Sequence, residues 1–257
     1  MSLTDQSTQV RAGEELDCAL IDPYLKAHIP GLDGTPAISQ FPGGASNLTY
    51  LVSYPQREFV LRRPPFGSKA KSAHDMGREF RILNQLNAGF PYCPKAYVHC
   101  TDESLIGGEF YVMERVKGII LRSDLPPELG FDAARTEALC KSFIDRLVEL
   151  HQVDYHAVGL ADLGKPDGYV QRQIEGWAGR YEKALTPDAP RWEAVIAWLR
   201  EKMPADHQRP GIIHNDYRFD NVILDADNPM RIIGVLDWEM TTLGDPLMDL
   251  GNTLAYW

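Results

Sequence analysis

At 257 residues, with 44% hydrophobic and 24% charged residues, the chain holds enough apolar material for one large domain or two lobes, and its composition argues against disorder. A net charge of −10 argues against nucleic acid and anionic membrane surfaces as partners, since both need a basic patch. Cys18, Cys93, Cys100 and Cys140 form no CxxC pair, which speaks against a zinc site or a dithiol motif. With no apolar signal core and no run near the roughly 18 residues of a membrane span, the expected location is the cytoplasm.

Residues 1–13 read as a polar, frayed start, and Glu14 to Ile29 as a short helical region that Pro23 interrupts or re-starts. From Pro36 three β-rich runs follow, AISQF, LTYLVSY and EFVLRRP, and their short connections predict an antiparallel meander. In the first connection, PGGASN, Gly43 and Gly44 let the backbone approach a ligand closely, and Ser46 and Asn47 can donate hydrogen bonds to phosphate oxygens. Taken alone, without GK[ST] or GxGxxG, it reads as a hairpin turn.

Met76, Phe80, Ile82, Leu83 and Leu86 recur at helical spacing, with Gly89 as the stop. Strands KAYVHC and EFYVMER follow, and the chain then leaves β patterning for a helical lobe. The boundary between Met113 and Gly118 gives a β-rich N-terminal lobe with a leading helix, residues 1–115, and a helical C-terminal lobe, 116–257. From Asp132 a long helix places Ala138, Leu139, Phe143, Leu147, Leu150 and His151 at helical spacing, with His151 read as a core histidine. Two amphipathic helices, near Tyr169 to Leu185 and Arg191 to Met203, carry Trp177, Tyr181, Trp192 and Trp198. Such aromatics are expected in a core, with substrate stacking as the alternative.

The stretch GIIHNDYRFDNVILDADNPMRIIGVLDWEMTTLGDPLMD, Gly211 to Asp249, is where the chemistry concentrates. A polar loop, NDYRFDN, is followed by two β-rich segments, VIL and RIIGVLD, joined by the turn residues DADNP. A hairpin there brings Asn221, before its first strand, close to Asp237, at the end of its second. Oxygen ligands at these two places suit a hard cation that completes its octahedron with nucleotide phosphates. Asp216, five residues before Asn221, suits a carboxylate that orients an attacking hydroxyl and accepts its proton.

The motifs HNDYRFDN, VLDWE and GDPLMDL together closely resemble the aminoglycoside phosphotransferase-like (choline kinase-like) small-molecule kinases. Within that family they look most like the branch fused in animals to acyl-CoA dehydrogenases. The resemblance covers residues 36–257 and implies an α+β, two-lobed protein-kinase-like fold. Its small lobe would be an antiparallel sheet plus helix, and its large lobe mainly helical with a catalytic hairpin. It implies Asp216 as catalytic base, Asn221 and Asp237 as ligands of Mg2+, and ATP, ahead of GTP, as co-substrate. It places PGGASN over the phosphates and offers the backbone of Glu114 and Val116 to adenine. Where relatives carry a phosphate-gripping lysine this chain has Arg62, paired in the resemblance with Glu79; guanidinium is bulkier than ammonium, which bears on nucleotide affinity and rate.

His214 is implied to brace the catalytic loop. Arg218 either neutralises the transferring phosphoryl group or pairs with a carboxylate. Glu239 can reach the second shell of the metal, while Asp245 and Asp249 cap the last helix and anchor it against the loop. The expected activity is transfer of a γ-phosphoryl group to a hydroxyl of a small molecule, a hydroxyacyl-CoA-like metabolite ahead of an aminoglycoside. Two other readings stand beside it: a catalytically weak nucleotide-binding module, motivated by Arg62, and a hydrolase holding a metal on His214, Asp216 and Asp237. The apolar ending LGNTLAYW predicts a C-terminal helix whose face is covered by further chain or by a second copy in a homodimer, with the acceptor half of the site completed from there.

Overall fold

Five strands pair antiparallel in the order β1-β2-β3-β5-β4: β1 (Ala37–Gln40), β2 (Leu48–Ser53), β3 (Glu58–Arg63), β4 (Ala96–Cys100) and β5 (Phe110–Glu114). The structure is a computed structural model and describes residues 3–42, 47–67, 75–122 and 125–256. The chain forms two compact units, Met1–Arg146 with Arg218–Glu239, and Leu147–Tyr217 with Met240–Trp257, passing from the first to the second within helix α3 (Ala133–His151).

In the first unit β2 alternates buried and half-buried residues, whereas β3 is buried at nearly every position. The two helices explain the difference. Helix α1 (Cys18–His28) buries Ile21 and Leu25 in one cluster with Tyr50, Val52, Phe59 and Leu61. Helix α2 (Met76–Leu86) buries Ile82, Leu83 and Leu86 and brings Glu79 to Arg62, whose side chain points to the opposite face of β3 from Leu61. Asp75 caps α2 by accepting from the Arg78 N–H at 2.8 Å. Arg62 is buried because both faces of its strand are covered.

Two early expectations are corrected here. The N-terminal segment is not frayed: Thr8 exchanges backbone hydrogen bonds with Gln40 at 2.8 and 2.9 Å, and Asp5 N–H donates to the Gly118 carbonyl at 3.2 Å. Its polar side chains hid this, because the backbone makes the attachment. Nor does Pro23 interrupt α1, which runs through it, while the expected helical start at Glu14 gives way to Asp17 as the cap.

The first unit also contains the hairpin of β7 (Val222–Leu224) and β8 (Ile232–Val235), introduced after β6 (Gly211–Ile213) of the second unit. Asp225 closes its turn by accepting from the N–H groups of Asp227 and Asn228. Gly118 lies against this hairpin, and a Cβ there would sit 2.3 Å from the Leu224 carbonyl oxygen and 2.4 Å from Ile223 Cγ2. Gly118→Ala should therefore cost about 1–3 kcal/mol by overpacking. A fall in the urea midpoint at unchanged m value is the expected reading; an unchanged midpoint would show that the crossing segment yields freely.

In the second unit β6 pairs antiparallel with β9 (Thr242–Gly244), a strand too short to show in the sequence pattern. Helices α4 (Tyr169–Ala184) and α5 (Glu193–Glu201) pack together and share an Arg200–Glu175 ion pair. The tryptophans expected in a core lie outside it: Trp177 is 60% exposed, and Trp192 and Trp198 are both 56% exposed. Trp177 and Trp192 border an apolar groove between α4 and α5 instead of filling an interior. Helix α6 (Pro246–Leu254) is capped by Asp245, which accepts from Leu247 N–H at 2.8 Å, and leaves Leu247 and Leu254 exposed.

Candidate active site

In the first unit the ionic centre is Arg62. Its Nη1 donates to Glu79 Oε1 at 2.5 Å and its Nη2 to Asp237 Oδ1 at 3.1 Å, so one guanidinium spans two carboxylates contributed by α2 and by the end of β8. Burial opposes the Arg62 charge, but Glu79, Tyr111 and Asp237 outweigh it and hold the pKa well above the ordinary arginine value. Burial pushes the Glu79 carboxyl up, with Arg62 pulling the other way.

Asp237 is held in an uncommon backbone conformation, φ 67°, which costs energy for a side-chain-bearing residue and persists only where neighbours enforce it. They do so on both sides. Leu236 N–H donates to the Asn221 carbonyl at 2.8 Å, tying the two candidate ligand positions together across the hairpin, and buried Trp238 donates Nε1–H to the Val235 carbonyl at 2.9 Å. Asn221 is itself buried and fixed by its N–H to the Arg218 carbonyl, 2.9 Å. Among the described residues no three His, Cys, Asp or Glu side chains gather into a cage. The amide oxygen of Asn221 and the carboxylate of Asp237 are hard donors and too few to hold an ion by themselves, a set that fits Mg2+ completed by phosphate and water.

The remaining expected residues of this unit fall as follows. Asn47 is buried and donates Nδ2 to Glu239 Oε2 at 3.0 Å, so its amide serves this carboxylate; Arg78 donates to the Glu239 carbonyl at 3.1 Å. Gly43, Gly44 and Ser46 lie outside the described residues. Arg218 Nε lies 3.0 Å from Asp220 Oδ1, the carboxylate pairing that was one of its two readings. Glu114 ends β5, where its N–H donates to the Lys95 carbonyl, and Val116 follows beside Gly234.

The second unit holds Asp216 and the residues that shape its loop. Asp249 is fully buried and accepts three hydrogen bonds: from His214 N–H (2.8 Å), from Asn215 N–H (2.8 Å) and from the His151 ring Nε2 (2.9 Å). Burial alone would raise its pKa; the two histidines and the backbone donors reverse this and hold it below the ordinary aspartate value. His214 is fully buried, and its Nδ1 accepts from Asp216 N–H at 3.2 Å. That bond occupies the Nδ1 lone pair, the wrong arrangement for a metal ligand through that nitrogen.

Asn215 has φ 64°, the left-handed region that asparagine tolerates better than most residues. Its conformation is fixed by Asn252 Nδ2 to its carbonyl (2.6 Å), by its own Nδ2 to the Met240 carbonyl (3.0 Å) and by Tyr169 OH to its Oδ1 (3.2 Å). Sequence reasoning passed over Asn215, Asn252 and Tyr169, while His151, read as a packed or hydrogen-bonded core histidine, is hydrogen-bonded to Asp249. An asparagine immediately before the candidate base was the one available signal.

Residues 37–257 match the phosphotransferase enzyme family. The chain belongs to this family. It is 38% identical over 246 residues to mouse acyl-CoA dehydrogenase family member 10, covering 93% of this chain and 22% of that protein. It is 34% identical over 262 residues to chicken acyl-CoA dehydrogenase family member 11, covering 100% and 33%. The phosphotransferase chain thus spans a third or less of these relatives. A solved Ralstonia eutropha protein, described as a "putative aminoglycoside phosphotransferase", is 35% identical with a TM-score of 0.81, covering 95% of this chain and 70% of that one. The fold of this phosphotransferase is α+β and protein-kinase-like. Among its described residues no helix is long and apolar enough to cross a membrane.

Proposed function

We propose that this phosphotransferase moves the γ-phosphoryl group of ATP to a hydroxyl of a small molecule. The observation that supports it most is the Arg62 guanidinium held between Glu79 and Asp237, which joins the phosphate-gripping position of β3 to the metal-ligand position of the hairpin. Asp216 is the group that orients the acceptor hydroxyl and takes its proton, on a loop fixed by His214 and Asp249. Asn221 and Asp237 hold Mg2+, which when bound neutralises phosphate charge. Residues 1–115 form the nucleotide lobe, in which the Glu114 and Val116 backbone meets the base. Arg218, already paired with Asp220, steadies the loop.

For the acceptor we infer a hydroxyacyl thioester of the coenzyme A class ahead of an aminoglycoside. Two relatives that contain this region are named acyl-CoA dehydrogenases, which puts acyl-CoA chemistry on the same polypeptide. The test is nucleotide turnover, with ATP and GTP in parallel, against hydroxyacyl-CoAs of differing hydroxyl position and against aminoglycosides. Asp237→Ala should lose the nucleotide-dependent rise in melting temperature that Mg2+ supports in the parent. No turnover with any acceptor, together with no Mg2+-dependent nucleotide binding, would overturn the reading.

A further inference from the structure

We infer that Arg62 is a placeholder cation: its guanidinium occupies the Asp237 carboxylate, and this makes divalent-metal binding depend on nucleotide. The inference rests on the proposed role of Asp237 as a metal ligand and concerns what competes for it.

The geometry is that of a cation shared unequally. Arg62 lies 2.5 Å from Glu79 Oε1 and 3.1 Å from Asp237 Oδ1, with Glu79 almost fully buried and the Asp237 side chain 31% exposed. The shorter, buried contact is the anchor, and the longer, wetter one is the contact that can be given up. A charged guanidinium against a carboxylate oxygen repels a second cation approaching the same group, at the few-ångström range where Coulomb energies are large. Metal alone must displace the Arg62 Nη2 from the Asp237 carboxylate. Polyphosphate changes that balance, because it offers the Nη2 edge another anion and supplies the oxygens that Asn221 and Asp237 lack. Arginine suits this role better than lysine, since its planar fork holds Glu79 with one nitrogen while the other reaches Asp237. Linkage then requires reciprocity: metal favours nucleotide by the same factor as nucleotide favours metal.

The test uses Mn2+ as the probe, its binding followed by electron paramagnetic resonance on the parent, on Arg62→Gln and on Arg62→Lys, each with and without ATP. The double variant Arg62→Gln/Glu79→Gln removes the buried carboxylate that Arg62→Gln alone leaves unpaired, and far-UV circular dichroism checks the fold of each. The expected result is weak binding of Mn2+ alone by the parent, about tenfold tighter binding by the glutamine variants, and a lysine variant in between. ATP should tighten Mn2+ on the parent more than on the glutamine variants. Equal Mn2+ affinity without ATP in parent and glutamine variants overturns the placeholder role while leaving Asp237 as a ligand. Failure of every protein to bind Mn2+ even with ATP overturns both this inference and the metal assignment beneath it.

Discussion

Asp216→Asn is expected to lower phosphoryl transfer by about a thousandfold while leaving magnesium-nucleotide binding within a few-fold of the parent. The size follows from removing a general base, an effect of ~10²–10⁴ in rate. The selectivity follows from where Asp216 is held: its backbone N–H donates to His214 Nδ1, a bond that asparagine keeps, so the loop should retain its shape. Single-turnover rates with a saturating acceptor, beside nucleotide affinity from equilibrium titration, separate the two effects. Equal rates in parent and variant would remove Asp216 from the chemistry.

Asp249→Ala should be the most damaging single change for stability. It removes the acceptor for His214 N–H, Asn215 N–H and the His151 ring at once, in a fully buried place where water cannot substitute. Breaking a buried charged network by deleting one partner costs about 3–5 kcal/mol. Asp245→Ala, which loses one N-cap bond, should cost about 1 kcal/mol, and the comparison isolates burial and multiplicity from helix capping. Chemical denaturation of both variants measures this. Comparable losses in the two would show that Asp249 does no more than its neighbour.

Asp249 also predicts a pH dependence. Its folded-state pKa lies below its value of 3.8 in an unfolded chain, so the unfolded state binds the proton more readily as pH falls. The stability it contributes is complete above the unfolded value and is lost as pH falls through the folded one. Acid titration of stability should therefore show a steeper limb below pH 3.8 in the parent than in Asp249→Ala. Identical acid limbs would place the ionised network elsewhere.

Features set by neighbours along the chain were legible from the amino acids. The meander of β1 to β3, the presence of two further strands, α2, α3 and the β7–β8 hairpin follow from periodic apolar residues and turn chemistry, which act over a few residues, whereas the insertion of β5 between β3 and β4 does not. The hairpin also made the approach of Asn221 and Asp237 predictable, because a two-stranded turn closes on itself. What tertiary structure decided was which distant groups share a charge or a backbone bond. Arg62 was readable as a partner of Glu79 through the resemblance, but its second contact, to Asp237 across 175 residues, depends on the hairpin packing beside β3. Asp249 was legible as a residue that anchors the last helix against the loop, but its three donors, His214 N–H, Asn215 N–H and the His151 ring, come together only when α6 packs beside β6. Strand β9 exists because β6 offers it hydrogen bonds, since three residues carry no period of their own. The tryptophans of α4 and α5 show the opposite error. Helical spacing states which residues share a face, and only packing determines whether that face is covered.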